Sequence, residues 1–426
     1  MKSALENIRQ SQFVKNVSVL ATGTLIVQVI TTLLSPVLSR LYSPEDYGLF
    51  AVFTSLLNIL TVIGSLRYEL AMLIPKKTRE AALILKLSLY LVLIISVIVF
   101  LITLIFNRQF AGISGSESLG FHLYFLAPVF LAAGSVQAFT YWYNRNKIYS
   151  LISGVRIFQS SVNSAFSITL GFLKFHSSGL IFSLVVSNIL SLIFLIKKSA
   201  LNFKSCSFDF KALKSVAVKY REFPLLGLPG ALLDTVSINS VIFLLSYFFS
   251  EAVTGSYSFA YRMLTLPSVL ISASIGQVLF QKLSESYSNK EIIFTHILKT
   301  WKFLFLAGLI PLLILMFSGE EIFRFVFGEK WSEAGKISEY LCILTFFMFI
   351  SSPTSSAMIV LRKQKFMFWN SLAVFIYRPL ALYYGYASGN FMNGIILFVI
   401  LEVIQILFFN FILVRNTLIS DRGIKS

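Results

Sequence analysis

The run VSVLATGTLIVQVITTLLSP, residues 17–36, carries one amide, Gln28, among apolar, small and hydroxyl side chains and holds no charge. About 20 helical residues cross a hydrocarbon core of roughly 30 Å, so this run reads as a membrane span. A second apolar stretch follows, then the basic loop Lys76, Lys77 and Arg79, then apolar chain again. The alternation continues to the C-terminus. It decides the fold class, because only helices and closed barrels satisfy every backbone polar group in lipid. On the same scale spans are expected near 14–38, 46–66, 83–106, 120–143, 151–172 and 177–196, then near 225–249, 254–280, 300–318, 337–361, 366–386 and 392–414. The expectation is an all-α integral membrane protein with about 12 transmembrane helices in two six-helix halves around a central cavity.

Composition agrees. At 426 residues, 56% hydrophobic and 13% charged, with mean hydropathy +0.79, the chain is too apolar for a water-soluble fold. The net charge of +17 would fit nucleic acid, but its basic residues sit in short loops between apolar runs, which membrane orientation explains better. Of the 36 Lys and Arg, 28 fall on one side of the expected spans and six on the other, leaving Arg262 and Arg378 inside spans. The heavy side is cytoplasmic by the positive-inside rule, so both termini are expected to face the cytoplasm and the chain is expected to be an integral inner-membrane protein. Met1 to Lys15 is polar and charged, so no cleavable signal peptide is expected. Cys206 lies in a basic loop and Cys342 in an apolar span, so neither a disulfide nor a metal site is expected, and the three histidines show no metal spacing.

The most basic loop divides the chain into an N-terminal half, 1–198, a linker, 199–224, and a C-terminal half, 225–426. The halves echo one another. Thr22-Gly23 aligns with Pro229-Gly230, and Gly48 with Gly255, at an offset of 207, whereas Trp142 to Lys147 resembles Val360 to Lys365 at 218. The extra residues fit the longer external loop near 319–336. Parallel repeats of this kind hold a substrate near mid-depth between them.

Charge inside a span is costly and marks function by default. Arg378 stands about 18 Å from the cytoplasmic end of its span and Arg262 about 12 Å below the external end. Asp234 lies in the seventh span and Glu402 deep in the twelfth. Each either pairs with an arginine or takes up a proton. Arg40, Arg67 and Glu69 lie near helix ends, where interfacial anchoring is favoured. Thr, Ser, Asn and Pro gather in the first, seventh and eighth spans, including Thr24, Thr31, Ser35, Thr235, Asn239, Tyr257 and Tyr261; they read as cavity walls or as small-residue helix packing. No P-loop and no catalytic constellation is visible, so no catalytic residue is assigned.

Three stretches carry a family resemblance. Leu41-Tyr42-Ser43-Pro44-Glu45-Asp46-Tyr47-Gly48-Leu49-Phe50-Ala51, Gly64-Ser65-Leu66-Arg67-Tyr68-Glu69-Leu70-Ala71 and Phe325-Val326-Phe327-Gly328-Glu329-Lys330-Trp331 resemble the polysaccharide-biosynthesis flippases. These include the O-antigen and capsule repeat-unit flippases of the multidrug/oligosaccharidyl-lipid/polysaccharide exporter superfamily. The resemblance implies translocation of an undecaprenyl-diphosphate-linked oligosaccharide from the cytoplasmic to the outer leaflet, as in lipopolysaccharide biosynthesis. It implies a transporter, not an enzyme, with Arg378 and Arg262, and then Arg40, gripping the diphosphate, since guanidinium pairs bidentately with phosphate. Asp234 and Glu402 would pair charges or couple to a proton or sodium gradient, with no cofactor. Expected partners are the lipid-linked oligosaccharide, membrane lipids and other polysaccharide-assembly proteins, with no nucleic acid. The alternatives are a multidrug or metabolite cation antiporter of the same superfamily, which would favour intramembrane acids, and a membrane polymerase or ligase, which would carry a sizeable external loop.

Overall fold

The computed structural model describes residues 2–113, 119–199, 210–289 and 291–425, and among them every regular element is helical. Twelve long helices carry the chain: α1 (Lys2–Leu41), α2 (Pro44–Gly64), α3 (Thr78–Ile113), α4 (Leu126–Arg145), α5 (Tyr149–Phe172), α6 (His176–Lys198), α7 (Leu228–Phe248), α8 (Glu251–Ser288), α9 (Phe294–Phe327), α10 (Ser332–Ser351), α11 (Gln364–Ala387) and α12 (Phe391–Lys425). Each expected span overlaps one of them, and the one expected at 337–361 runs past the end of α10 into the short helical turns Ser352–Thr354 and Ala357–Val360. Among the described residues, nine helical runs are long and apolar enough to cross a membrane. Those centred on α5, α8 and α11 fall short. Each of these carries an arginine: Arg156, Arg262 and Arg378. Arg156 corrects the loop count, because it stands seven residues into α5, about 10 Å from its start.

The chain divides into two compact units: Met1–Tyr42 with Leu49–Asn239, and Ser43–Gly48 with Ser240–Ser426. In the first unit, a core of Tyr68, Met72, Ile84, Leu85, Phe139, Trp142 and Val155 joins α3, α4 and α5. Residues 200–209 of the expected linker, with Cys206, lie outside the described residues. The remainder forms a short helix, Phe210–Lys219, that buries Leu213 and Val216. Val216 and Tyr220 join that core, the Tyr68 hydroxyl donates to the Ala217 carbonyl at 2.9 Å, and Lys219 pairs with Glu80.

In the second unit two of the three family stretches meet through Tyr47 and Trp331. Tyr47 lies edge-on to both Phe259 and Trp331 at 5.2 Å, and Phe259 meets Trp331 at 4.1 Å. Trp331 is fully buried. The turn that delivers it runs through Gly328 at φ 104°, a backbone that a side chain would strain. Ser43 and Asp46 form a reciprocal cap at the start of α2: Ser43 N–H donates to Asp46 Oδ2 at 2.9 Å and Asp46 N–H to Ser43 Oγ at 3.3 Å. Ser250 caps α8 in one direction, its Oγ accepting from Val253 N–H at 3.2 Å. Five residues beyond each cap, Gly48 and Gly255 let the two helix starts touch. A Cβ on Gly48 would lie 1.9 Å from the Glu251 carbonyl oxygen, and one on Gly255 would lie 1.7 Å from that of Pro44.

The repeat is real at offset 207 there, since Pro44 and Glu251 open their helices 207 residues apart (251 − 44). Later pairs correct the expected 218. Helices α5 and α11 begin 215 apart (364 − 149) and have the same length of 24 residues, and α6 and α12 also begin 215 apart (391 − 176). Left-handed residues close the turns before and after α5 at Lys147 and Lys174, and those around α11 at Arg362 and Gly389, again at 215. Helices α3 and α9 already start 216 apart (294 − 78). The extra residues therefore lie in the C-terminal part of α8, which runs on to Ser288 where α2 stops at Gly64, and not in the loop near 319–336.

Candidate functional site

Helices α11 and α12 form an antiparallel hairpin that packs glycine on glycine near its turn. A Cβ on Gly385 would come within 2.6 Å of the Gly394 Cα. From that contact Arg378 is seven residues back along α11 and Glu402 eight residues on along α12, so both sit two turns deeper on the facing sides. There they meet. Arg378 Nε donates to Glu402 Oε1 at 2.6 Å, and Nη2 donates to Oε2 at 3.2 Å. The side chains are 15% and 6% exposed, so this is a buried, side-on, bidentate pair. Pro379 follows directly and cannot donate to the carbonyl of residue 375, which loosens the helix beside the pair.

Tyrosines surround it. Tyr377 lies beside the Glu402 carboxylate, and Tyr257 and Tyr261 are within electrostatic reach of both charges. The rings of Tyr257 and Tyr261, one turn apart on α8, stack at 6.0 Å and 8°. The sequence reading had Tyr257 and Tyr261 as polar wall residues but gave Tyr377 no role. Its place directly before an intramembrane arginine was the available signal. Such a cluster presents phenol hydroxyls and one ion pair in otherwise apolar surroundings, a chemistry suited to a polar, hydroxyl-rich or anionic group.

Arg262 is exposed on α8, within electrostatic reach of Tyr47 in the same unit. Arg40, exposed at the end of α1, and Asp234, exposed on α7, belong to the first unit. Of the residues singled out from sequence, the structure joins Arg378 with Glu402. Several hydroxyls assigned to cavity walls turn back onto their own helices: Thr24 to Leu20, Thr31 to Gln28, Ser35 to Thr32 and Thr235 to Ala231. Backbone satisfaction of this kind is what buried Ser and Thr do in packed helices.

The sequence profile of the family described as polysaccharide biosynthesis protein matches residues 37–336. The teichuronic acid biosynthesis protein TuaB of Bacillus subtilis (strain 168) is 22% identical over 317 residues, covering 73% of this chain and 64% of that protein. The aligned part therefore spans just under two thirds of that relative. The succinoglycan biosynthesis transport protein ExoT of Rhizobium meliloti (strain 1021) is 21% identical over 414 residues, covering 92% of this chain and 78% of that protein. Among solved structures, lipid II flippase MurJ in an inward closed conformation superposes with a TM-score of 0.74 at 14% identity, covering 95% of this chain and 90% of that one. That likeness shows a shared fold.

Proposed function

The chain belongs to the polysaccharide biosynthesis protein family, and from that premise we propose that it is a flippase for an undecaprenyl-diphosphate-linked oligosaccharide, moved from the cytoplasmic to the outer leaflet by alternating access. The observation that carries the reading is the family match over residues 37–336 on a fold shared with a lipid II flippase. In this reading the protein spans the bacterial inner membrane about 12 times, with the basic loops and both termini in the cytoplasm. The physical task fits. A glycan crossing hydrocarbon unaided would lose its hydrogen bonds to water, at several kcal/mol per unsatisfied group. A polar path through the protein removes most of that cost, while the lipid tail stays in the bilayer.

The two halves, 1–198 and 225–426 on either side of the linker, would act as the moving parts. Arg378, Arg262 and Arg40 are the residues proposed to meet the diphosphate. Glu402 neutralises Arg378 at rest, and a proton or sodium ion taken up at Glu402 or Asp234 would release the guanidinium for the substrate. The test is deletion of the gene in its host. Lipid-linked repeat units should then accumulate on the cytoplasmic leaflet, read by their protection from an externally added glycan-modifying reagent. Normal units on the outer leaflet would sink the reading.

A further inference from the structure

The turn that follows α2 is held in a conformation that its residues disfavour. Leu66 and Arg67, neither of them glycine, sit in the left-handed region at φ 51° and φ 66°. Three clamps keep them there. Glu69, fully buried, accepts from Ser65 Oγ and, at 3.2 Å, from Gln137 Nε2 on α4. Tyr68 is tied to the Ala217 carbonyl on the linker helix, and Arg145 Nη1 donates to the Met72 carbonyl at 2.9 Å. Strain maintained by this much surrounding structure points to a task for the residue at the tip.

That residue is Arg67. It is half-buried, and its Nε–H is fully buried with no acceptor among the described residues. A buried guanidinium N–H has no use except donation, and none of the described residues supplies its acceptor. The depth of the site narrows the choice. Gln137 and Tyr141, its neighbours on α4, stand eight and four residues before the end of that helix at Arg145, about 12 and 6 Å in. Both therefore stand near one end of a candidate membrane span, the end that faces the interface where lipid phosphates lie. Lys76, Lys77 and Arg79, exposed on the adjoining loop, raise the local concentration of anions.

We propose that Arg67 is a reception site for the phosphate of a membrane lipid at the cytoplasmic edge of the first unit, with Ser65, Glu69 and Gln137 positioning the turn that presents it. Its assignment to the cytoplasmic edge rests on the orientation given under the proposed function. Two lipids share the chemistry: the polyprenyl diphosphate of a cargo, and an anionic phospholipid of the surrounding leaflet.

The full chain, in phosphatidylcholine nanodiscs doped with either undecaprenyl diphosphate or phosphatidylglycerol, separates them, with retained lipid counted by native mass spectrometry. Arg67→Asn removes the charge with a residue that tolerates the left-handed backbone, and Arg67→Lys keeps the charge without the planar fork. The expected result is about tenfold weaker retention for Arg67→Asn and a smaller loss for Arg67→Lys. Loss confined to undecaprenyl diphosphate identifies a cargo site, and loss for phosphatidylglycerol identifies a leaflet-lipid site. A folded Arg67→Asn that retains both lipids like the wild type, or a wild type that retains neither, overturns the proposal. Retention is read without translocation, so a chain that binds lipid but fails to flip it removes the flippase reading and leaves the site standing.

Discussion

Replacing Glu402 with leucine would leave the Arg378 guanidinium, 15% exposed, without the carboxylate that accepts both of its hydrogen bonds. Removing one member of a buried ion pair costs about 3–5 kcal/mol, because the charge left behind is neither solvated nor paired. The pair lies wholly in the unit formed by Ser43–Gly48 and Ser240–Ser426. For a cooperative unit of ~190 residues each kcal/mol moves the melting temperature by about 2–4 °C. Glu402→Leu should therefore lower it by on the order of 10 °C. Arg378→Met should do the same through the stranded carboxylate. Arg378→Met with Glu402→Leu removes both charges, and replacing a buried pair with apolar residues is often neutral, so the double variant should recover to within about 2 kcal/mol of the wild type. Scanning fluorimetry in detergent of the wild type, both single variants and the double variant reads this cycle directly. A Glu402→Leu protein that melts with the wild type, or a double variant as unstable as either single one, would refute the buried, mutually neutralising pair. The stable double variant is also the clean reagent for function. It should no longer support export, because a neutral methionine cannot hold a diphosphate.

Gly255→Ala would place a Cβ 1.7 Å from the Pro44 carbonyl oxygen, backbone that cannot swing aside, so it should abolish accumulation of folded protein. Gly154→Ala, with nothing within 4 Å of the added atom, should instead stabilise α5, by ~0.5–1 kcal/mol in the melting assay. For topology, Glu329→Cys, whose side chain is 78% exposed, should react with a membrane-impermeant maleimide in intact cells. Lys77→Cys should react only after permeabilisation, and the opposite pattern would invert the orientation.

Much of the fold was legible because lipid imposes period and length on the sequence. Runs such as residues 17–36 announce a helix through apolarity alone, and each expected span overlaps a long helix, although among the described residues nine helical runs are long and apolar enough to cross a membrane. The repeat was half legible. Gly48 and Gly255 fall at the offset of 207 because close backbone contact demands glycine at both. The later offset of 215 escaped because Lys174 and Gly389, or Lys147 and Arg362, close equivalent turns with unlike residues. Backbone geometry repeats there without repeating side-chain identity.

The candidate site divides in the same way. Arg378 and Glu402 were visible singly, since charge in an apolar helix is conspicuous in any alphabet. Which acid would meet which arginine was not. Asp234 was as good a partner on paper, and the glycine contact between α11 and α12 brings Glu402 to Arg378 instead. The strained turn at Leu66 and Arg67 was invisible, because neither residue advertises a left-handed backbone.

By itself, then, the sequence determined that this chain is a multi-pass helical membrane protein and where its costly charges lie. Those are properties of each segment's own exchange between water and lipid. Tertiary structure alone decided which charges neutralise one another and which buried donors, Arg67 Nε among them, find no acceptor among the described residues. Both depend on helices meeting at a set depth and rotation, which no single segment encodes.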